Sequence, residues 1–135
     1  MKYLLDVNAL VALCVTSHQF YSRMLKWMAR VNASNDCEFL TCSITEIGLL
    51  RTLVLAPEYS FTIQQGKDVL AQLKSTKGFA FELLCDDVGI EVLPSWVHGG
   101  KQITDGHLIK LASNKGAVLA TLDEGIRGAY VIPLD

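Results

Sequence analysis

Four acidic side chains carry the chemical interest of this sequence. Asp6 follows the apolar run Tyr3-Leu4-Leu5, Glu46 closes Ser43-Ile44-Thr45-Glu46, Asp105 follows Thr104, and Asp123 follows Ala120-Thr121-Leu122. Each has an ordinary structural explanation. Aspartates cap helices and make turns, Ser-x-x-Glu is a capping box that satisfies backbone donors, and an acid in a first helical turn complements the macrodipole. Their placement adds a chemical one: Asp6 and Asp123 lie just beyond expected strands, Glu46 and Asp105 in expected first turns, and an open α/β sheet gathers such positions at one edge. Ionised carboxylates within about 4 Å of one another repel by roughly 4 kcal/mol per pair at an effective dielectric of about 20, so a cluster of them needs cations or protons. Oxygen ligands without His or Cys company select Mg²⁺ or Mn²⁺. One or two such ions turn a water into a nucleophile and stabilise the charge of an in-line phosphoryl displacement.

The elements that must position these acids are legible from the spacing of apolar residues. Tyr3 to Val7 reads as a strand apolar on both faces, with Asn8 where an N-cap belongs and Ala9 to Val15 as the helix. His18 to Val31 carries Phe20, Met24, Trp27, Met28 and Val31 at helical spacing, with Trp27 as a core residue. Glu38 to Cys42 is a second strand, and a helix from Ser43 to about Leu55 ends before Pro57. Tyr59 to Lys77 and Phe79 to Cys85 read as two further helices separated by Gly78, an excursion suited to a dimer or partner surface. Asp86-Asp87 reads as a solvated turn, and Ile90 to Leu93 as a third strand ended by Pro94. Thr104 caps a helix that runs to Gly116, Ala117 to Thr121 is a fourth strand, and Ala129 to Leu134 holds a last short one. The alternation predicts a single three-layer, Rossmann-like α/β domain over residues 1–135, its central and mostly parallel sheet flanked by helices.

Bulk properties narrow the partners. With 50% hydrophobic residues the 135-residue chain is long enough to bury a substantial core. Twelve Lys plus Arg against fourteen Asp plus Glu give a net charge of −2, so a phosphate partner must be gripped locally rather than by bulk electrostatics. No apolar run reaches the roughly 18 residues that a membrane helix needs. Asp6 and Asn8 interrupt the one segment that imitates a signal peptide, so a cytoplasmic protein is expected. Cys14, Cys37, Cys42 and Cys85 form no C-x-x-C pair and read as reduced thiols packed as small apolar groups rather than as zinc ligands. Gly99-Gly100-Lys101 fails the P-loop pattern, because Gln102 replaces the Ser or Thr that meets magnesium.

Taken together, Leu5-Asp6-Val7-Asn8, Ser43-Ile44-Thr45-Glu46-Ile47-Gly48-Leu49-Leu50-Arg51, Ile103-Thr104-Asp105-Gly106-His107-Leu108 and Ala120-Thr121-Leu122-Asp123 resemble the motifs of PIN-domain ribonucleases of the VapC toxin type. They span nearly the whole chain. The resemblance implies that Asp6, Glu46, Asp105 and Asp123 form an acidic, catalytic metal site and that Asn8 and Thr121 orient its ligands and waters. It also implies an endoribonuclease dependent on Mg²⁺, with Mn²⁺ able to substitute, that acts on single-stranded regions of RNA. A homodimer and inhibition by a cognate antitoxin are implied as well, with Arg51 able to meet a phosphate or an antitoxin carboxylate. Glu124 stands beside Asp123 as a second acid within reach, Gly106 replaces an expected better helix former, and His107 faces a different side of its helix from Asp105.

Other readings compete. A haloacid-dehalogenase-like phosphatase needs a second Asp two positions after the first, where this chain has Asn8. A response-regulator-like or flavodoxin-like module also gathers acids at strand ends, but no strand here is followed by the expected lysine. A PIN-like nuclease or RNA-processing enzyme without a toxin role remains open, as does a catalytically silent PIN domain that serves as an interaction partner. The presence of all four acids argues against the silent domain.

Overall fold

The computed structural model describes residues 1–34 and 36–134. Its sheet is built from β1 (Lys2–Leu5), β2 (Glu38–Thr41), β3 (Ala80–Leu83), β4 (Val118–Thr121) and β5 (Tyr130–Val131), in the order β3-β2-β1-β4-β5 with every pairing parallel. Alternate residues of the inner strands point to opposite faces, and both faces are apolar. Tyr3, Leu5, Phe39 and Ala120 lie in one core cluster, while Leu4, Leu40 and Leu119 lie in the other.

The first cluster is covered by α1 (Val7–Cys14), α2 (Tyr21–Val31), α3 (Ser43–Leu55) and α4 (Ile63–Lys74); the second is covered by α5 (Ile103–Asn114) through Leu108, Leu111 and Ala112. Helix α1 lies against α2, α3 and α4, which is why its run from Ala9 to Cys14 is buried all round. Close approach of α3 to α1 depends on Gly48, where an added Cβ would stand 2.5 Å from Val7 Cγ2. Trp27 is fully buried, as its spacing predicts, and donates from Nε1 to Tyr130 Oη at 3.0 Å.

Several elements differ from the sequence expectation. The expected helix Phe79 to Cys85 is instead the edge strand β3, because its apolar pattern has period two: the Phe79 and Phe81 rings pack 5.9 and 5.7 Å from the Phe39 ring. The expected strand Ile90 to Leu93 is instead a single 3-10 turn, Ile90–Val92. With β3 already on the β2 edge, this short apolar run packs on no strand, and Ile90 is 76% exposed. Helix α2 begins at Tyr21 rather than His18, and α4 covers only Ile63–Lys74 of the expected Tyr59 to Lys77. The caps also shift. Asp6, not Asn8, caps α1; Cys42 and Thr45, not Ser43 and Glu46, make the turn that opens α3; and Gln102, not Thr104, precedes α5. Cys14, Cys37 and Cys42 are buried free thiols as expected, while Cys85 is exposed.

Candidate active site

Chain order reverses across the sheet between β1 and β4. Strands β2 and β3 build outward on one side of β1, and β4 and β5 lie on the other. Loops leaving the two central strands diverge at such a point and leave a crevice beyond their carboxyl ends. The register places that crevice: Leu5 pairs with Ala120, and Asp6 N donates to Ala120 O at 2.9 Å, so the residues after Leu5 and Ala120 face each other across it.

Asp6 stands at the floor, 6% exposed, in extended backbone. Its Oδ1 accepts from Val7 N at 2.8 Å, which caps α1, and its Oδ2 accepts from Thr121 Oγ1 at 2.8 Å. The buried Thr121 hydroxyl in turn accepts from Asn8 Nδ2 at 3.0 Å and from Asp123 N at 3.1 Å. Asn8 Oδ1 accepts from Leu122 N at 3.0 Å, which ties the loop after β4 to the first turn of α1. Asp123 is more open to solvent, with Oδ1 accepting from Gly125 N at 2.7 Å. Asp105 enters from the first turn of α5. Gly106 beside it has a packing reason: an added Cβ would meet Val97 Cγ2 at 2.5 Å and Pro94 Cδ at 3.2 Å, so α5 lies close against that segment.

Asp6, Asn8, Asp105 and Asp123 line one cavity of about 550 Å³. Its electrostatics are those of uncompensated anions. Burial pushes the Asp6 carboxyl above the usual aspartate range and Asp123 repels it further, against the hydrogen bonds from Thr121 and Val7. Burial likewise raises Asp105, with added repulsion from Asp6 and Asp123. Among the described residues neither lysine nor arginine lines the cavity. Its three carboxylates offer anionic oxygen donors, which fit a hard divalent cation. Among the described residues no three His, Cys, Asp or Glu side chains converge closely enough to hold an ion by themselves. The fit is thus to a cation such as Mg²⁺, which takes one or two carboxylates and keeps several of its waters.

The fourth expected acid is not among the residues lining that cavity. Glu46 Oε2 accepts from Thr41 Oγ1 at 2.6 Å and pairs with the Lys74 ammonium, and it lines a separate depression with Ile47, Leu50 and Gly66. The expected quartet is thus a trio in one cavity with Glu46 set apart. Its neutral environment comes from a lysine of α4 that no spacing rule links to it. Asp123 lines the cavity and Glu124 does not. Arg51 is exposed on α3 beside an apolar groove with Ile47, Val54, Leu55 and Ile63, away from the acids. His107 Nε2 lies 2.6 Å from Asp86 Oδ2, so Asp86 is part of a partly buried pair rather than a solvated turn, while Asp87 meets Lys115 at 3.2 Å.

No protein-family model matches the chain. Curated relatives do. Ribonuclease VapC38 of Mycobacterium tuberculosis is 37% identical over 128 residues, covering 91% of this chain and 86% of that protein. Ribonuclease VapC29 of the same species is 32% identical over 127 residues, covering 93% and 89%. This chain belongs to the VapC family of PIN-domain ribonucleases. The VapC fold extends to a solved structure: M. tuberculosis VapC20, a sarcin–ricin loop cleaving toxin, superimposes with a TM-score of 0.62 over 97% of this chain and 99% of that one, at 14% identity. For a VapC-family chain, the cavity at the β1/β4 reversal is the candidate active site. Sequence reading missed one part of its wall, formed by His18, Gln19, Phe20 and Thr52. The helical spacing of His18 and Phe20 hid them in an expected helix, and no motif marks Thr52.

Proposed function

We propose that this chain is a Mg²⁺-dependent endoribonuclease acting as the toxin of a toxin–antitoxin pair. The observation that carries the reading is the meeting of Asp6, Asp105 and Asp123 in one cavity at the chain reversal of a VapC-family sheet. One or two of Asp6, Asp105 and Asp123 would hold the ion directly and the remainder through its waters, with Mn²⁺ able to replace Mg²⁺. When bound, the ion supplies an activated water and neutralises charge on the scissile phosphate. The chain's own residues do the positioning. Thr121 and Asn8 lock the Asp6 carboxylate in one orientation and hold the Leu122-Asp123 backbone against it. Such supporting hydrogen bonds keep carboxylate ligands aimed without reorganisation.

Glu46 is engaged through Oε2 by Thr41 and Lys74, and its part in catalysis belongs to the same reading. RNA as substrate is supported by the relatives, which are ribonucleases; a cognate antitoxin, a homodimer and a cytoplasmic location belong to the same reading as what membership of the VapC family implies. No helix among the described residues is long and apolar enough to cross a membrane. A single PIN domain over residues 1–135 accords with one continuous five-stranded sheet.

Purified protein incubated with total cellular RNA tests the proposal. Cleavage is expected in Mg²⁺, none in chelator, and Asp6→Asn or Asp105→Asn should reduce cutting to background while the circular dichroism spectrum stays that of the wild type. Equal cutting by the Asn variants would remove the catalytic assignment.

A further inference from the structure

The cavity is lined by two unlike sets of groups. One is the carboxylates; the other is His18 and Phe20, whose rings lie 5.8 Å apart at 45°. These two rings are fixed by neighbouring contacts. Phe20 N donates to His18 Nδ1 at 3.0 Å, which makes Nδ1 the acceptor and leaves the imidazole proton on Nε2. His18 Nε2 has no partner among the described residues. The Arg23 guanidinium stands 5.2 Å over the Phe20 ring and is anchored by donating to the Pro133 carbonyl at 3.0 Å and to that of Ile132. Burial lowers the His18 pKa, so the ring is a neutral donor near pH 7. Val11, Leu122 and Ile126 supply apolar surface in the same lining. An acid site that only bound an ion would need none of these aromatic groups.

We propose that His18 and Phe20 form a nucleobase-stacking subsite: a base of single-stranded RNA flanking the cleaved phosphate lies against these rings, and His18 Nε2–H donates to an acceptor on that nucleotide. The inference rests on the RNA-cleaving function proposed above and adds to it the residues that grip the base. Unpaired bases are held in single-stranded complexes by aromatic side chains, and the contact tolerates different bases because each has a π face. The cavity volume falls in the usual ligand range of roughly 300–1,000 Å³. The subsite also answers the weak net charge of the chain, since stacking grips RNA where bulk electrostatics cannot.

The test compares binding of AMP, CMP, GMP and UMP with binding of ribose 5-phosphate, in Mg²⁺, followed by the aromatic ¹H–¹³C resonances of His18 and Phe20. The nucleotides should bind the wild type about tenfold more tightly than ribose 5-phosphate and move both ring signals upfield. Phe20→Leu, which keeps apolar bulk without a π face, and His18→Ala should each lose most of that preference, while Phe20→Tyr retains it. Ribose 5-phosphate binding as tightly as the nucleotides, or Phe20→Leu and His18→Ala keeping the preference with native thermal midpoints, would overturn the subsite. RNA cleavage by the wild type is measured separately. Cleavage without a nucleotide preference would sink only the subsite, whereas absence of cleavage would sink the ribonuclease reading.

Discussion

Thr121 holds the centre of the site. Its hydroxyl is fully buried, donates to Asp6 Oδ2, and accepts from Asn8 and from the Asp123 backbone, so one atom links the carboxylate just after β1 to the loop after β4. Thr121→Val keeps the shape and removes all three bonds. Leaving buried groups unpaired costs about 1–3 kcal/mol, so thermal denaturation should show a clear loss. Cleavage of RNA in Mg²⁺ should fall by roughly 10–100-fold, the usual effect of removing a hydrogen bond that aims a metal ligand. Unchanged activity would show that Asp6 is held well enough by the α1 cap alone. The acids make a second prediction. Asp6 and Asp105 bind protons more readily in the folded chain than in the unfolded one, because both stand above the ordinary aspartate value of 3.8. In chelator, their contribution to stability therefore falls as pH rises from 3.8 through the folded values, and stays low above them. Asp105→Asn escapes this penalty. It should melt higher than the wild type at pH 7 without divalent ions, with the difference shrinking as the solution is acidified; a wild type that melts higher at pH 7 would contradict the raised carboxyl.

At the scale of elements, α5 brings its acid to the cavity only by lying close to the Pro94–Val97 segment. Gly106 lets it do so, because a Cβ there would strike the stiff, branched Val97 side chain and the Pro94 ring. Helix propensity alone favours Gly106→Ala by about 1 kcal/mol. Overpacking costs typically 1–3 kcal/mol, so the expected outcome is net destabilisation by about 1 kcal/mol in urea denaturation, together with weaker Mg²⁺-dependent cleavage as Asp105 shifts. A variant more stable than the wild type would mean that the loop before α5 yields freely. Helix α4 influences the active-site edge differently, by placing Lys74 against Glu46 with both side chains about a quarter exposed. Partly solvated pairs of this kind contribute less than about 1 kcal/mol. Lys74→Ala should hardly alter stability, and a change in RNA cleavage on freeing Glu46 would show that the acid takes part.

The whole molecule carries a net charge of −2, and the cavity itself is acidic. RNA must then be held by few phosphate contacts, local cation bridges and bases rather than by a basic face. Each phosphate neutralised on a single strand contributes a salt slope of about −0.7. For catalytically dead Asp105→Asn in Mg²⁺, the logarithm of the RNA association constant against the logarithm of KCl concentration should have a slope no steeper than about −2, as expected for roughly three phosphates. A much steeper slope would indicate an extended basic contact surface that the charge balance does not suggest.

Short continuous apolar runs and period-3.6 spacing are enough to read β1, β2, β4 and most helices directly from the residues, because those strands are buried on both faces and the helices pack on the sheet. The acids at their ends could be named for the same reason: strand ends and first turns are local features. Element type became ambiguous where apolar runs were short. Phe79 to Cys85 became a strand because the β2 edge and the Phe39 ring were there to receive it, and Ile90 to Leu93 did not because no edge remained. Tertiary structure alone decided which acids share a cavity. Asp6, Asp105 and Asp123 meet through the chain reversal at β1 and β4, whereas Glu46 is claimed by a lysine 28 positions away. It likewise decided that His18 and Phe20 line the same cavity as those acids, since local spacing reports which side chains share a helix face but not what the fold brings beside them.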